Sequence, residues 1–319
     1  DLEAKKRGNS FYFPDRVIPM FPEKISNDLC SLVPNKVRAC LVVEIIIKNF
    51  KIECFKLHRA KIKSIARLTY NQVDQIFFSE QKSNINFDVI SSLFKSYKIL
   101  KRISEMRNKI NFSRDEFQII INKNNEFFFK KKDLLESYKL IEEFMVLANE
   151  CIAKVLKDNK LDSIFRNHEK PNRDKVEQLK LLLKDNNILE NEEFDTQKDF
   201  NLVLKKIKDS NSNLNEFLLK SQSSAYYSKT NLGHFGLGLQ YYTHFTSPIR
   251  RYSDLEVHRD IINYYFKKPK KNYEEFLSDH LTNQEKKSDY LEKRIVERAC
   301  SLLIKNKKKK YFTGIIDGI

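Results

Sequence analysis

An apolar stripe in the middle of the chain constrains its fold more than any other sequence feature. In SYKLIEEFMVLANECIAKVL, which starts at Ser137, apolar residues recur at intervals of three, four and seven positions. This spacing places them along one face of an α-helix. Because such a face must be buried, the sequence predicts a long helix packed against a core. The inward-facing residues are Leu140, Ile141, Phe144, Leu147, Ala148, Cys151, Ile152 and Val155.

The chain before this helix has the patterns of β-strands. LVVEIII is an apolar run typical of a buried strand, and from Ala60 onward apolar residues alternate with basic ones. FQIIIN and EFFFK predict two more strands on either side of an Asn-rich turn. Between these strands, Thr69 and Gln72 have the spacing of a capping box, so we expect a helix to begin at Tyr70.

Helical patterns dominate the second half of the chain. Ser253 has the residue type of an N-cap and predicts the start of one of these helices. Because the strands come first and the helices later, the sequence favours an α+β fold over alternating βαβ units. The further helices are predicted at 173–184, 199–208, 214–226, 253–267 and 274–308.

The segment YFPDRVIPMFPEKIS near the start of the chain does not have a helical pattern. It contains Pro14, Pro19 and Pro22, and each proline lacks a backbone donor and favours an extended residue before it. The sequence therefore predicts a stiff, extended path across the protein surface.

The chain is strongly basic, with 59 Lys and Arg residues against 43 Asp and Glu residues and a net charge of +16. A basic excess of this size suits a polyanionic partner such as nucleic acid. It agrees equally with a coding bias, because the chain is rich in Lys, Asn and Ile and has no Trp. No uninterrupted apolar stretch reaches the ~18 residues of a membrane-spanning helix, so we expect no membrane partner.

The five cysteines lie at positions 30, 40, 54, 151 and 300 and form no CxxC motif. They also show no metal-ligand spacing with histidine, which argues against a structural zinc site. An odd, scattered set of thiols is typical of a reducing compartment, so we expect a cytoplasmic protein.

The sequence SPIRRYSD indicates a function most directly. Pro248 precedes the adjacent arginines Arg250 and Arg251, and a helix is predicted to begin at Ser253. Guanidinium groups bind phosphate through two parallel hydrogen bonds, and the amides at a helix N-terminus attract the same anion. An arginine pair at a helix start can also be purely structural.

Half of the chain's 6 glycines lie within GHFGLGLQ, just upstream of the arginines. They are Gly233, Gly236 and Gly238. Glycine lets the backbone approach a ligand closely, although a glycine cluster can also mark a simple bend. Together, the glycine cluster and the arginine pair favour a functional loop.

These motifs resemble a known family. GHFGLGLQYYTHFTSPIRRYSDLEVHRDI is similar to the signature of the RNB family of exoribonucleases, and ARLTYNQV, LIEEFMVLANE and FRNHEKP fit further family segments in the same order. The resemblance is closer to the ribonuclease R branch than to the ribonuclease II branch. It implies an α+β fold in which a mixed sheet and many helices surround an RNA channel. It also implies an RNB catalytic domain over 1–312 without its N-terminal part, and the start of an S1 domain (an OB-fold) over 313–319.

The resemblance implies a function as well. RNB enzymes are processive 3′→5′ exoribonucleases that hydrolyse single-stranded RNA and release nucleoside 5′-monophosphates. They hold Mg²⁺ in an aspartate cluster that would lie upstream of Asp1, so no metal ligand is expected in this segment. The expected partner is single-stranded RNA, and the expected cofactor of the whole protein is Mg²⁺. We also expect a monomer and an isolated segment that is inactive.

The motifs imply site residues position by position. Arg250 in SPIRRY matches the arginine that contacts the scissile or a neighbouring phosphate, and Arg251 is expected to be a structural or auxiliary phosphate contact. Tyr70 in ARLTY and Glu142 in LIEEF match residues of sugar discrimination. Arg250, Tyr70 and Glu142 are therefore expected around one slot of ribose and phosphate size.

Tyr12 in FYFP and Phe112 in INFSRDE match the family's aromatic pair that stacks on RNA bases. Phosphate, ribose and base faces are common to all nucleotides, so an enzyme that ignores sequence should bind them. Each residue also has a simpler interpretation. Tyr12 could pack on Pro14, Tyr70 and Phe112 could belong to the core, and Glu142 could be solvated.

His234, His244 and His258 could serve acid–base catalysis. Metal-bound water can supply the nucleophile instead, so we interpret these histidines as structural. Two other classes of protein stay open: a non-catalytic RNA-binding module of the same fold, and a helical scaffold for protein partners. The clustered glycines and arginines argue against the scaffold.

Overall fold

The computed structural model describes residues 1–79, 85–112, 116–122, 124, 126–189, 194–210, 214–268, 274, 276–306 and 311. The α-helices described are α1 (Leu2–Arg7), α2 (Tyr70–Phe78), α3 (Phe87–Met106), α4 (Glu136–Asp158), α5 (Arg173–Asp185), α6 (Gln197–Asp209), α7 (Asn215–Ser221), α8 (Tyr252–Tyr265) and α9 (Leu277–Asn306). The strands described are β1 (Phe11–Tyr12), β2 (Val17–Ile18), β3 (Val37–Lys48), β4 (Lys51–Lys63), β5 (Phe117–Ile121), β6 (Phe127–Lys131), β7 (Phe165–Asn167) and β8 (Tyr226–Ser228). The described chain also contains a π-helical segment (Lys24–Leu29) and a 3₁₀ turn (Phe235–Leu237).

Helix α4 contributes to three of the hydrophobic clusters. Near its start, Leu140 is buried among residues of α2 and α3. In its middle, Val146 packs against Leu239. Towards its end, Ile152 and Leu156 are fully buried against α8 and the β3–β4 hairpin. The apolar stripe in the sequence therefore identifies the helix that joins these clusters.

Helices α5, α6 and α7 surround a separate core. Leu183, Ile207 and Leu218 are completely buried there, one from each helix. Ile110 joins this core from the segment after α3, and Phe112 packs against it while still partly exposed. This second core therefore fixes the position of Phe112.

The α+β class is confirmed, but the strands do not form one mixed sheet. In the described part of the chain they form four separate antiparallel pairs: β1–β2, β3–β4, β5–β6 and β7–β8. The β3–β4 hairpin is by far the longest, with a register that runs from Val37 opposite Lys63 to Lys48 opposite Lys51. Three of these pairs join neighbouring segments, whereas β7 and β8 are separated in the sequence by α5, α6 and α7.

Several elements differ from the sequence predictions. Helix α3 is not among the predicted helices, although its buried residues Ile90, Phe94, Tyr97 and Leu100 recur at helical intervals. The helix expected over 214–226 ends at Ser221, because the following residues pair as β8 with β7.

Two smaller expectations fail at the ends and faces of helices. Ile141, expected to face inward, is 41% exposed. Helix α8 begins at Tyr252, so Ser253 is not its N-cap. The Ser253 hydroxyl donates to Asp254 instead.

The segment 313–319, expected to begin an S1 domain, lies outside the described residues.

The turn at the tip of the β3–β4 hairpin is strained. Asn49 and Phe50 both have left-handed backbone angles, with φ of 50° and 58°. A two-residue turn of this kind favours Asn followed by Gly, because a larger side chain at the second position clashes with its own backbone. Phe50 is 46% exposed, so packing offsets little of this strain.

We expect Phe50→Gly to stabilise the protein. Relief of left-handed strain is worth about 1–2 kcal/mol per residue, and the extra flexibility of Gly in the unfolded chain removes about half of this gain. The free energy of unfolding in urea should therefore rise by about 0.5–1 kcal/mol. The control Phe50→Ala keeps a Cβ atom and the strain. A Gly variant no more stable than this control would show that the turn is relaxed.

Candidate functional site

The position of Arg250 is fixed by backbone pairing with the start of the chain. The Ser10 amide donates to the Arg250 carbonyl at 2.9 Å, and the Tyr252 amide donates to the Gly8 carbonyl at 2.8 Å. Gly8 has a φ of +72°, and a Cβ atom there would lie 2.8 Å from the Cβ atom of Gln284 in α9. Only glycine therefore lets this segment run between Arg250 and α9 without strain.

Helix α4 holds the loop that leads to the arginines. The Asn149 side chain is buried, and its oxygen accepts hydrogen bonds from the amides of Phe245 and Thr246 at 3.0 and 3.2 Å. Further along, the Ser247 amide donates to the carboxylate of Asp254 at 2.8 Å. The loop is thus fixed by side chains from two helices, which orients the arginine pair that follows.

Arg251 forms a two-point ion pair with Asp254. Its Nε and Nη2 atoms donate to the two carboxylate oxygens, each at 2.8 Å. Asp254 is fully buried, so the pair neutralises a carboxylate that has no access to water. Burial lowers the pKa of the Arg251 guanidinium, but the charge and hydrogen bonds of Asp254 outweigh it and leave the pKa raised. Arg251 is therefore held mainly as a structural cation.

Arg250 is in the opposite situation. Its guanidinium is half-buried and makes no hydrogen bond or ion pair with any residue that the structure describes. Burial lowers the pKa of Arg250, and the positive charge of Arg251 acts in the same direction. A cation that has lost water and gained no partner attracts an anion strongly, because the surrounding dielectric constant is low. Arg250 is therefore available for phosphate.

Arg250 lines a cavity of about 140 Å³ together with Tyr12, Tyr227 and Arg251, which we call the arginine cavity. The Tyr12 side chain is 46% exposed. An anion that enters the cavity therefore meets a guanidinium and an exposed aromatic ring together.

Helix α9 gives the arginine cavity an acidic wall. Glu285, Asp289 and Glu292 line it. Glu285 is neutralised by Arg166 at 2.5 Å, and Glu292 accepts a hydrogen bond from Ser288 at 3.4 Å. Burial raises the pKa of the Asp289 carboxyl. Because Arg166 neutralises Glu285 and burial favours the neutral form of Asp289, these acidic residues oppose an anion in the cavity less than three free carboxylates would.

A second cavity of about 530 Å³ contains Phe112 and Glu142, and we call it the glutamate cavity. Lys109 reaches both Glu142, at 2.5 Å, and Glu143, at 2.8 Å. Arg107 contacts the same Glu143 at 3.4 Å. The lysine is nearly buried whereas the Glu142 side chain is 53% exposed, so Glu142 keeps a free side that faces the cavity.

Tyr70 is the first residue of α2, as the capping box of Thr69 predicts. Its ring packs on the ring of Tyr138 in α4, with centroids 4.1 Å apart. Helices α2 and α4 are tied together here, because the Asp74 carboxylate accepts from the amides of Glu136 and Ser137, each at 2.9 Å. One helix thus caps the N-terminus of another and holds Tyr70 on the first turn of α4.

The structure does not bring Arg250, Tyr70 and Glu142 into a single cavity. Arg250 lines the arginine cavity, and Glu142 lines the glutamate cavity. Tyr70 adjoins the second group, because its neighbour Tyr138 lies one helical turn before Glu142. The expected site is therefore distributed over two places: Tyr12 lies with the two arginines in the first, and Phe112 and Tyr70 lie with or beside Glu142 in the second.

The glycine cluster serves packing as well as the site. Gly238 has a φ of +65°, and a Cβ atom there would lie 2.3 Å from the carbonyl oxygen of Arg107. Gly233 also has a positive φ, of +83°. A Cβ atom at Gly236 would lie 3.2 Å from the His168 ring, and Gly236 lines the glutamate cavity. Close approach to protein atoms, rather than to a ligand, thus explains most of the cluster.

The three histidines considered for catalysis have structural partners. His234 Nδ1 accepts from the Leu237 amide at 3.3 Å, and His244 Nδ1 lies 2.9 Å from the Tyr227 hydroxyl. His258 Nε2 lies 2.8 Å from a backbone carbonyl. Burial lowers the pKa of all three imidazoles, and that of His234 falls to about 3. They are therefore neutral at pH 7, as the structural interpretation predicts.

Sequence reasoning missed the residues that hold the site in place. Lys109, Asp74 and Asn149 act from segments far from their partners, so no local spacing reveals them. The partner of Arg251 is different. Asp254 lies three residues further on, a spacing at which helix residues meet, so the pair could be predicted.

The described part of the chain contains neither a cluster of metal ligands nor a membrane-spanning helix. Among those residues, no group of three or more His, Cys, Asp or Glu side chains is arranged to hold a metal ion. No described helix is long and apolar enough to cross a membrane.

Among the described residues, the Arg250 guanidinium has no partner and lines a cavity with an aromatic ring, an arrangement that can accept a phosphate group. Comparison with known proteins specifies the family. The RNB domain model matches residues 1–267. Ribonuclease R of Buchnera aphidicola subsp. Schizaphis graminum is 33% identical over 342 aligned residues, which cover 100% of this chain and 46% of that protein.

Similar solved structures indicate the same family. Mycoplasma genitalium RNase R in complex with ribose methylated single-stranded RNA is 31% identical, with a TM-score of 0.88 over 95% of this chain and 50% of that one. The same enzyme in complex with double-stranded RNA gives a TM-score of 0.90 at 31% identity, over 97% and 58% of the two chains. The chain belongs to the RNB family and spans about half the length of these relatives.

We expect acid to destabilise the protein through His234. Its pKa is about 3 in the folded state and about 6.5 when unfolded, so between these values only the unfolded chain binds the proton. Its contribution to stability is complete above pH 6.5 and is lost as the pH falls towards 3, by up to about 1.4 kcal/mol per pH unit. Urea unfolding of His234→Gln should show a shallower decline between pH 6.5 and 4.5 than the wild type. The control His58→Gln replaces an exposed histidine and should keep the wild-type slope, whereas equal slopes in all three proteins would contradict this account.

Proposed function

We propose that the whole protein is a processive, hydrolytic 3′→5′ exoribonuclease that releases nucleoside 5′-monophosphates from single-stranded RNA. Membership in the RNB family and similarity to proteins named ribonuclease R support this function. One of these relatives was solved with ribose methylated single-stranded RNA, which supports single-stranded RNA as the partner here. The proposal covers the whole protein, because this chain spans about half of its relatives.

The observation that carries the proposal is the contrast between the two arginines. Arg251 is neutralised by Asp254, whereas the Arg250 guanidinium is half-buried and has no partner among the residues described. A phosphodiester bond gains negative charge on its oxygens as it breaks. A guanidinium that is already desolvated and oriented can stabilise that charge without further rearrangement. We therefore assign Arg250 to the phosphate that reacts or to its neighbour.

The other site residues suit the parts that every nucleotide shares. Tyr70 and Glu142 can hydrogen bond to the ribose 2′-hydroxyl, which distinguishes RNA from DNA. The exposed ring of Tyr12 and the partly buried ring of Phe112 can stack on bases without reading their sequence. Their separation into two cavities agrees with a strand that contacts the protein at more than one nucleotide.

The remaining assignments rest on the family resemblance. We propose that Mg²⁺ is the cofactor of the whole protein and is bound by aspartates upstream of Asp1, since the described residues hold no such cluster. We also propose an RNB domain over 1–312, followed by the start of an S1 domain. A monomeric, cytoplasmic protein completes the proposal.

The reaction is tested directly by the products. The whole protein, incubated with 5′-labelled single-stranded RNA and Mg²⁺, should shorten it from the 3′ end and release nucleoside 5′-monophosphates. The 319-residue segment alone should release none, because it lacks the proposed metal ligands. Salt-dependent RNA binding by the whole protein without hydrolysis would support the non-catalytic RNA-binding module instead. Robust release by the segment would contradict the assignment of the metal to upstream residues.

Arg250→Ala in the whole protein should lower turnover far more than RNA affinity. One phosphate contact among many adds little to binding, but the loss of one group that stabilises transition-state charge lowers kcat about 100- to 1000-fold. The dissociation constant should rise by less than about threefold. Single-turnover hydrolysis and fluorescence anisotropy measure the two effects. Arg16→Ala, at an exposed arginine, is the control, and equal losses of rate and affinity in Arg250→Ala would refute a catalytic role.

Tyr70→Phe and Glu142→Gln should each narrow the preference for RNA over DNA. Either change removes or weakens one hydrogen bond to the 2′-hydroxyl, which is worth about 1 kcal/mol, or about fivefold. The measurement is the ratio of kcat/KM for matched RNA and DNA oligonucleotides. Glu53→Gln on the distant hairpin is the control for charge. Unchanged ratios would remove both residues from sugar recognition.

A further inference from the structure

The strongest feature without a role so far is the aromatic pair on the first turn of α4. The rings of Tyr70 and Tyr138 lie 4.1 Å apart at an angle of 34°. Both side chains are partly open to solvent, with 40% of Tyr70 and 37% of Tyr138 exposed. Two large rings packed together at a surface are rarely needed for stability alone, because each could lower its free energy further by burial.

The pair is held more firmly than exposed side chains usually are. The Ser137 hydroxyl, itself buried, donates to the Tyr70 carbonyl at 3.0 Å. The Asp74 carboxylate caps the start of α4 with two hydrogen bonds. The backbones beneath both rings are therefore fixed in relation to each other. Fixed rings lose little entropy when a ligand binds, which makes them a pre-organised surface.

A cation lies against the second ring. The Lys132 ammonium is 5.2 Å from the Tyr138 centroid, within the range of a cation–π contact. The same ammonium pairs with Glu116 at 2.8 Å, so it is anchored from the β5–β6 hairpin. Tyr138 thus has a lysine and Tyr70 as neighbours, while Tyr70 keeps a large exposed area. The two rings are almost equally exposed, but the Lys132 ammonium lies against Tyr138, so we assign ligand contact to Tyr70 and support to Tyr138.

The aromatic pair lies one helical turn from a residue of the glutamate cavity, although neither ring lines that cavity. Tyr138 and Glu142 are four residues apart in α4 and share one face of the helix. The same cavity also contains Phe112, Lys101 and Lys139.

We propose that Tyr70 and Tyr138 form a stacking platform for one nucleotide of single-stranded RNA, in which Tyr70 stacks on the base and Tyr138 is the positioning residue that holds it. This inference rests on the proposed function. It adds a residue, Tyr138, that no motif indicates, and gives Tyr70 a stacking role beside its contact with ribose. The ligand is a nucleotide because an exposed aromatic ring beside lysines matches a base joined to a phosphate.

A double-mutant cycle tests the positioning role. The probe is a 5′-fluorescein-labelled oligoadenylate, bound to the whole protein in the presence of a chelator so that hydrolysis does not consume it. Tyr70→Leu should weaken binding about tenfold and Tyr138→Leu about fivefold. Since Tyr138 acts through Tyr70, the double variant should be no weaker than Tyr70→Leu, instead of showing the product of the two losses. Tyr138→Phe, which keeps the ring, should restore most of the affinity.

A spectroscopic signal separates this role from a general loss of structure. The chain contains no Trp, so Tyr70→Trp places a single tryptophan in it. Its fluorescence should be quenched when oligoadenylate stacks on the indole. Tyr138→Leu in the Tyr70→Trp background should reduce the quenching at saturating oligoadenylate, with unchanged urea unfolding as the control for folding.

The outcomes distinguish this inference from the proposed function. If the wild type binds and degrades RNA but Tyr138→Leu binds oligoadenylate as well as the wild type, the platform is overturned while the function stands. Independent, multiplicative losses in the cycle would also overturn the platform alone, as would a protein partner that binds this face and leaves RNA affinity unaffected. If the wild type neither binds nor degrades RNA, both are overturned.

Discussion

The ion pair between Arg251 and Asp254 is the interaction on which the arginine cavity depends. Asp254 is fully buried and must be neutralised, and the adjacent guanidinium does this with two hydrogen bonds. Breaking a buried pair of this kind costs about 3–5 kcal/mol, so Arg251 is not free to take part in ligand binding. Arg250, the last residue of the turn before Arg251, lines the same cavity but has no partner among the described residues. Of the two adjacent arginines, Arg251 therefore stabilises the fold, and Arg250 is the one open to a ligand.

Helix α4 contributes both to the hydrophobic core and to the candidate site. Its apolar face joins three clusters, and its buried Asn149 fixes the loop before the arginines. Its opposite face presents Tyr138 and Glu142. A rigid helix of 23 residues transmits position along its whole length, so the arginine loop and the glutamate cavity keep a constant relation to each other.

Much of this could be predicted from local patterns. The stripe of α4, the capping box at Thr69 and the strands β5 and β6 follow from spacing alone, because each is stabilised by residues close in sequence. The α+β class and the RNB family also follow, the latter from motifs in fixed order. The division into four separate strand pairs could not be predicted, since strand pairing depends on which segments meet in space. Helix α3, which was not predicted, does carry a helical pattern in its buried residues.

The sequence by itself determined the residue types of the site: an adjacent arginine pair, a glutamate on a helix and three aromatic rings. Tertiary structure decided what each of them can do. Arg250 and Arg251 are identical in chemistry, and only the buried carboxylate of Asp254 makes one structural and leaves the other open. Likewise, Lys109 reaches Glu142 across 33 positions of the chain. The i,i+3 spacing of Arg251 and Asp254 is local, but the burial of Asp254 and the ion pair of Lys109 depend on segments that are distant in sequence, and no local pattern contains these.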